Sequence, residues 1–88
     1  MKAIFLKQFY KDLDKLKDQN LKDKIAGIII NVEQASSLSD IKNLKKLKGY
    51  KVVYRIKTGD YRIGVYIEKN VVEFARIVHR KEIYNKFP

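Results

Sequence analysis

The sequence predicts a single α+β domain. Apolar residues recur at three- and four-residue steps in the first third of the chain, at two-residue steps from Tyr50 onward, and as a nearly continuous run over Val71–Val78. The first pattern belongs to helices with one buried face, the second to half-buried strands, and the third to a strand covered on both sides. The expected layout is an N-terminal edge strand and a helical hairpin packed on one face of an antiparallel meander sheet, all within residues 1–88.

Taken in order, Ala3–Leu6 is a short β-prone run suited to an edge strand. Leu6, Phe9, Leu13 and Leu16 then recur among lysines and aspartates, which predicts an amphipathic helix. Asn20, with Asp23 three residues later, resembles a capping box and is expected to open a second helix through Leu21, Ile25, Ile28, Ile29 and Val32. Ile28, Ile29 and Ile30 are β-branched, but the four-residue spacing from Leu21 and the flanking charges favour helix, with Gly27 as the residue that weakens it. Ser36, Ser37, Ser39 and Asp40 make a polar break. Leu38, Ile41, Leu44 and Leu47 step through a lysine-rich connector ending at Gly49, expected as a short helical turn or an irregular segment.

The period then changes to two. Tyr50, Val52, Tyr54 and Ile56 alternate with Lys51, Val53, Arg55 and Lys57, and Thr58-Gly59-Asp60 supplies turn chemistry. Tyr61, Ile63, Val65 and Ile67 alternate with Arg62, Gly64, Tyr66 and Glu68, so the two strands form a hairpin. Lys69-Asn70 turns the chain into Val71–Val78, a central strand. There is no internal repeat and no linker.

Composition narrows the function classes. The chain has no cysteine and one histidine, so neither a disulfide nor a Cys/His zinc site is available; no metal and no cofactor are expected. The four apolar residues at Ala3–Leu6 are too few for an export signal, and Ile25–Ile30 falls far short of the roughly 20 residues that span a bilayer. A cytoplasmic location is expected, without membrane partners. The 20 Lys and Arg outnumber the 10 Asp and Glu, for a net charge of +10. Residues 1–40 carry seven lysines against six acids, while residues 41–88 carry nine lysines and four arginines against four acids, so +9 lies in the second half. A polyanion, nucleic acid or an acidic protein, is the natural partner of that half.

Arg55 and Arg62 alternate with Ile56 and Ile63, so if the isoleucines face the helices both arginines occupy the opposite face. The stretch His79-Arg80-Lys81-Glu82-Ile83-Tyr84 adds an imidazole, two cations and a phenol at the end of the last strand. Guanidiniums stabilise the charge of a pentacoordinate phosphorus, an imidazole exchanges protons near neutral pH, and a tyrosine stacks on a base or donates a proton. With RNA, the neighbouring 2′-hydroxyl serves as nucleophile and no metal is required. Plainer roles compete: a lone histidine is more often structural, Arg76 is expected to pair with Glu73 or Glu68, and Tyr50, Tyr54, Tyr61 and Tyr66 fall at strand spacing and serve packing. Most lysines are solvated surface. Tyr84, beyond the strand in a polar tail, lacks such an explanation.

The stretch Tyr54–Ile63, followed by His79-Arg80-Lys81-Glu82-Ile83-Tyr84, resembles the RelE/ParE superfamily of type II toxins. Lys11-Asp12-Leu13, Leu16 and the Lys45–Gly49 connector extend the resemblance over essentially the whole chain. It implies a compact toxin neutralised by a cognate acidic antitoxin. RelE-like members cut mRNA in the ribosome by 2′-hydroxyl attack on the scissile phosphate, whereas ParE-like members poison DNA gyrase without nuclease activity. On the RelE-like pattern Arg62 would hold the scissile phosphate, Arg80 would stabilise the transition state, and Tyr84 would stack or donate a proton. Arg55, Lys57 and Lys81 would bind phosphate, and His79 would be the general base, with a lysine of depressed pKa as its competitor. Two departures stand out. Val53 and Arg55 occupy positions where some RelE-like enzymes have two basic residues, and Ile77-Val78-His79-Arg80 replaces the common Val-Gly-His-Arg.

Overall fold

The computed structural model describes residues 1–88. The elements are β1 (Lys2–Phe5), α1 (Lys7–Lys15), α2 (Gln19–Gln34), a 3-10 turn (Leu38–Asp40), β2 (Leu44–Lys46), β3 (Val53–Thr58), β4 (Tyr61–Glu68), β5 (Val71–His79) and α3 (Ile83–Lys86). They build one five-stranded sheet in the order β1-β5-β4-β3-β2. β2 to β5 are antiparallel to their neighbours, and β1 joins β5 in parallel at the edge. The expected edge strand, two helices and antiparallel meander are all present.

Three local expectations are corrected. The lysine-rich connector is not a helical turn throughout: Leu44–Lys46 pairs with Tyr54–Ile56 and adds a strand to the meander. The first meander strand starts at Val53 rather than Tyr50, because Gly49, with φ of +84°, turns the chain just before it. The cap of α2 is Asp18, whose Oδ1 accepts from the Leu21 N–H at 3.3 Å, so the helix begins ahead of Asn20. At its other end, α2 has no basic residue in its last turn. The Met1 ammonium donates to the carbonyls of Val32, Glu33 and Ala35 at 3.1, 3.1 and 2.7 Å, placing a positive charge at the C-terminal end of the helix.

The sheet separates two cores. The larger holds Phe9 of α1, Leu21, Ile25 and Val32 of α2, and Ile56, Ile63, Val65, Val72, Phe74 and Ile77 from the strands. Each of these side chains contributes about 1.5–3 kcal/mol through burial. On the opposite face a smaller core of Leu47, Val53, Ala75, Val78, Ile83 and Phe87 forms beneath α3. Val53 is buried there, two residues before Arg55 on the same face of β3. Gly64 is required on that face: an added Cβ would come within 2.6 Å of the Phe87 ring.

β5 carries a bulge. Val65 pairs with Phe74 and Gly64 with Arg76, so Ala75 has no opposite number. Helix-facing residues on β5 consequently step by two from Val72 to Phe74 and by three from Phe74 to Ile77. β1 covers the outer edge of β5 only as far as Phe74, and beyond it the Ile77 N–H donates to Asp12 Oδ2 of α1 at 2.9 Å. A buried carboxylate takes the place that the next residue of a longer edge strand would fill.

Candidate functional site

The four arginines divide by their surroundings. Arg76, on β5, donates through Nε to Asp12 Oδ2 at 2.8 Å, through Nη2 to Asp12 Oδ1 at 3.4 Å, and through Nη1 to the Lys86 carbonyl at 3.2 Å. Its partner is therefore Asp12, not Glu73 or Glu68. Burial pushes the Asp12 carboxyl up, but the Arg76 hydrogen bond, the Ile77 N–H, the Gln8 amide and the Arg76 charge together hold it below its ordinary 3.8. Arg76 is a neutralised tie between α1, β5 and the end of α3.

Arg55 and Arg62 are different. They stand on β3 and β4 facing away from α1 and α2, with Arg55 opposite Gly64 and Lys57 opposite Arg62, so the two guanidiniums are diagonal neighbours. Neither forms an ion pair. Arg55 Nη1 donates to the Asn43 carbonyl at 2.9 Å, and Arg62 Nη1 to the carbonyls of Gly59 and Tyr61, each at 2.9 Å. Burial lowers the pKa of Arg55 and the charge of Arg62 lowers it further, while the Tyr84 phenol acts in the opposite direction. Two half-buried cations thus lie side by side, held by neutral carbonyls, with their remaining N–H groups free for an anion.

Tyr84 reaches this face because of α3. Ile83 and Phe87, one helical turn apart, are buried against the sheet, and Tyr84 between them is 75% exposed. An exposed phenol beside two uncompensated guanidiniums is a combination suited to stacking on a base whose phosphate the arginines hold.

The other expected site residues are distributed around this centre. Lys57 is exposed on the arginine face. Arg80 lies at the end of the sheet, where its N–H donates to the Asp60 carbonyl at 2.7 Å and its Nε is 3.8 Å from Asp60 Oδ1, an exposed pair next to the Gly59 carbonyl that binds Arg62. Lys81 is exposed in the turn after β5. His79 is not brought to Arg55 and Arg62. It pairs across the sheet with Tyr61, their rings edge to face at 5.6 Å on the side of the helices, and its Nδ1 accepts the Lys81 N–H at 3.2 Å.

Sequence reasoning passed over Asp12. A signal was present: Asp12 lies between Phe9 and Leu13 on the apolar stripe of α1, where a carboxylate needs a buried partner.

The model of the ParE toxin of type II toxin-antitoxin systems, parDE, matches residues 3–84. The chain belongs to this toxin family. It is 42% identical to the toxin RelE3 of Methanocaldococcus jannaschii over the full length of both. The toxin-antitoxin complex RelB-RelE from Methanococcus jannaschii contains a chain that superposes with a TM-score of 0.80 at 40% identity, covering 97% of this chain and 99% of that one. At 21% identity the isolated RelE toxin of E. coli shares the fold, with a TM-score of 0.65 over 97% of this chain and 92% of its own. In this type II toxin the unpaired Arg55–Arg62 face and exposed Tyr84 sit on a fold common to these relatives. No helix is long and apolar enough to cross a membrane.

Proposed function

We propose that this toxin is a ribosome-dependent mRNA endonuclease, neutralised by a cognate acidic antitoxin, that cleaves by attack of the 2′-hydroxyl on the adjacent phosphate. The observation that carries this reading is the convergence of Arg55, Arg62 and Tyr84 on one open face with no carboxylate to neutralise it. A surface built only for docking has no need to hold two cations side by side at a cost. Arg62 and Arg55 hold the scissile phosphate, and Arg80 leaves its weak pair with Asp60 to meet the charge that grows on the phosphorane. Tyr84 stacks on the flanking base and donates toward the leaving oxygen. His79 lies across the sheet, so the proton of the attacking hydroxyl passes to solvent at this open face, and Lys57 adds positive charge beside the phosphate. The antitoxin follows from charge, because an acidic partner covers the +9 half, and from the antitoxin-bound state of the RelE relative.

Arg62→Ala and Arg80→Ala are each expected to abolish growth inhibition while leaving the circular dichroism spectrum unchanged. Primer extension on cellular mRNA after induction is expected to reveal new 5′ ends with the unaltered toxin and none with either variant. Full toxicity in both variants would falsify the site assignment.

A second reading is favoured by the ParE character of the matching family: a DNA gyrase poison acting without chemistry. Induction separates the two. Intact messages together with a DNA-damage response would replace the nuclease reading with this one.

A further inference from the structure

A second basic surface lies on the other side of β3. Between α2 and the end of β3 a groove of about 520 Å³ is lined by Lys24, Gly27, Ile28, Asn31, Lys42 and Lys57, among others, and no carboxylate lines it. Lys24, Lys42 and Lys57 are exposed, and none belongs to an ion pair. Asn31 is fixed in the wall: its Oδ1 accepts the Lys42 N–H at 3.1 Å, and its Nδ2 donates to the Asp40 carbonyl at 3.0 Å.

Gly27 is the second observation. It lies inside a regular α-helix, where glycine costs roughly 1 kcal/mol relative to alanine, and apart from its chain neighbours and the adjacent helix backbone no atom comes within 4 Å of the position a Cβ would take. The fold makes no use of the missing side chain. Its effect is to leave the groove open where a ligand would pass close to the helix.

The groove is also continuous with the arginine face. Its rim includes Asn43 and Gly59, the residues whose carbonyls hold Arg55 and Arg62, and it shares Lys57 with that face. Backbone pairing along this edge of β3 ends where the Lys57 N–H donates to the Asn43 carbonyl at 3.2 Å, and a chain can pass around the end of the strand, at Thr58 and Gly59, from one face to the other. In the opposite direction, past Lys24, the surface becomes acidic at Asp18 and Asp60, which sets the end of the basic track.

We infer that this groove is a second phosphate-binding site, which holds the backbone of a single-stranded RNA whose adjoining segment crosses Arg55 and Arg62. The proposal deepens the nuclease reading and rests on it for the identity of the polyanion. Nucleic acid is favoured over an acidic protein segment by the lining: among nine residues only Ile28 is hydrophobic, whereas a docked peptide helix draws its affinity from apolar anchors. Compact ammonium groups on flexible stems around a polar floor suit phosphates, which require charge without shape.

The test measures binding of a labelled short single-stranded RNA to the full chain by fluorescence anisotropy across a salt series. Lys24→Gln/Lys42→Gln is expected to flatten the dependence of log affinity on log salt by about 1.4, or 0.7 for each phosphate contact, and to weaken binding at low salt on the order of tenfold to a hundredfold. Gly27→Leu keeps the charge, raises helix propensity and fills the groove, and is expected to weaken binding with an unchanged fold. Lys7→Gln/Lys11→Gln removes the same charge from α1 and is expected to have a much smaller effect. Equal losses in the α1 and groove variants overturn the proposal, since binding then follows net charge. So does unaltered RNA binding by Gly27→Leu accompanied by loss of antitoxin binding, which assigns the groove to an acidic protein. Failure of the unaltered protein to bind the RNA also overturns it. The nuclease reading is decided separately, by mRNA cleavage in cells: groove variants with normal RNA affinity alongside intact cleavage reject the groove alone, and groove-dependent binding without cleavage rejects the reading alone.

Discussion

Arg76 and Arg62 stand on neighbouring strands, with Arg76 opposite Gly64 and Arg62 two residues further along, yet they do opposite work. Arg76 meets a buried carboxylate and is 23% exposed, while Arg62 meets only carbonyls and lies next to a second guanidinium. Breaking a buried ion pair is costly because the remaining charge stays desolvated; a cation without a counter-ion contributes little to the fold and a great deal to an incoming anion. The same residue type is therefore structural or functional according to whether the core supplies an acid. α1 supplies one to Arg76 and nothing supplies one to Arg62.

The sharpest way to break this comparison is to delete each arginine in turn. Arg62→Ala is expected to reduce cleavage by on the order of 10²–10³, the usual loss for one transition-state donor, with stability within about 0.5 kcal/mol of the unaltered protein. Arg76→Ala is expected to reverse that profile, losing about 3 kcal/mol in urea unfolding. Equal stability losses in the two variants would remove the distinction.

Asp12→Ala attacks the other end of the same tie and is expected to cost a similar amount, about 3 kcal/mol, since it also strands the Ile77 N–H. The tie has a pH signature. Because the folded carboxyl is held below its ordinary 3.8, its stabilisation is complete above that value and disappears as pH falls through the depressed one. Acid unfolding curves of Asp12→Asn should consequently be flatter below about pH 4 than those of the unaltered protein.

Gly64→Ala sharpens the functional side. The new Cβ meets the Phe87 ring at 2.6 Å, and overpacking of this kind costs about 1–3 kcal/mol. Because Phe87 anchors α3, Tyr84 should be displaced and growth inhibition reduced beyond what the stability loss explains. The smallest effect on stability is expected at the Arg80–Asp60 pair. Asp60→Asn removes an exposed pair at 3.8 Å, and unfolding should shift by no more than about 0.5 kcal/mol.

Much of this architecture was legible in the residues. Leu6, Phe9 and Leu13 announced α1, Leu21 to Val32 announced α2, and the alternation around Thr58-Gly59-Asp60 placed Arg55 and Arg62 together on the face away from the helices. These are short-range consequences of periodicity, since a period of 3.6 or 2 fixes which side chains share a face. β2 was not legible. Its three residues are a strand only because β3 offers them an edge, a partner that lies outside any local window.

The sequence by itself determined the helices, the hairpin and the shared face of Arg55 and Arg62, because each depends on neighbours along the chain. The position of His79 was decided elsewhere. Strict alternation from Val72 and Phe74 would have turned His79 toward Arg55 and Arg62, but the extra residue at Ala75 reverses every side chain beyond it and sends the imidazole to Tyr61. That bulge is held by Asp12 reaching across from α1, 65 residues from the Ile77 amide it accepts. A contact of that separation exists only once the chain has folded, and it determines which residues of the last strand can reach the arginine face.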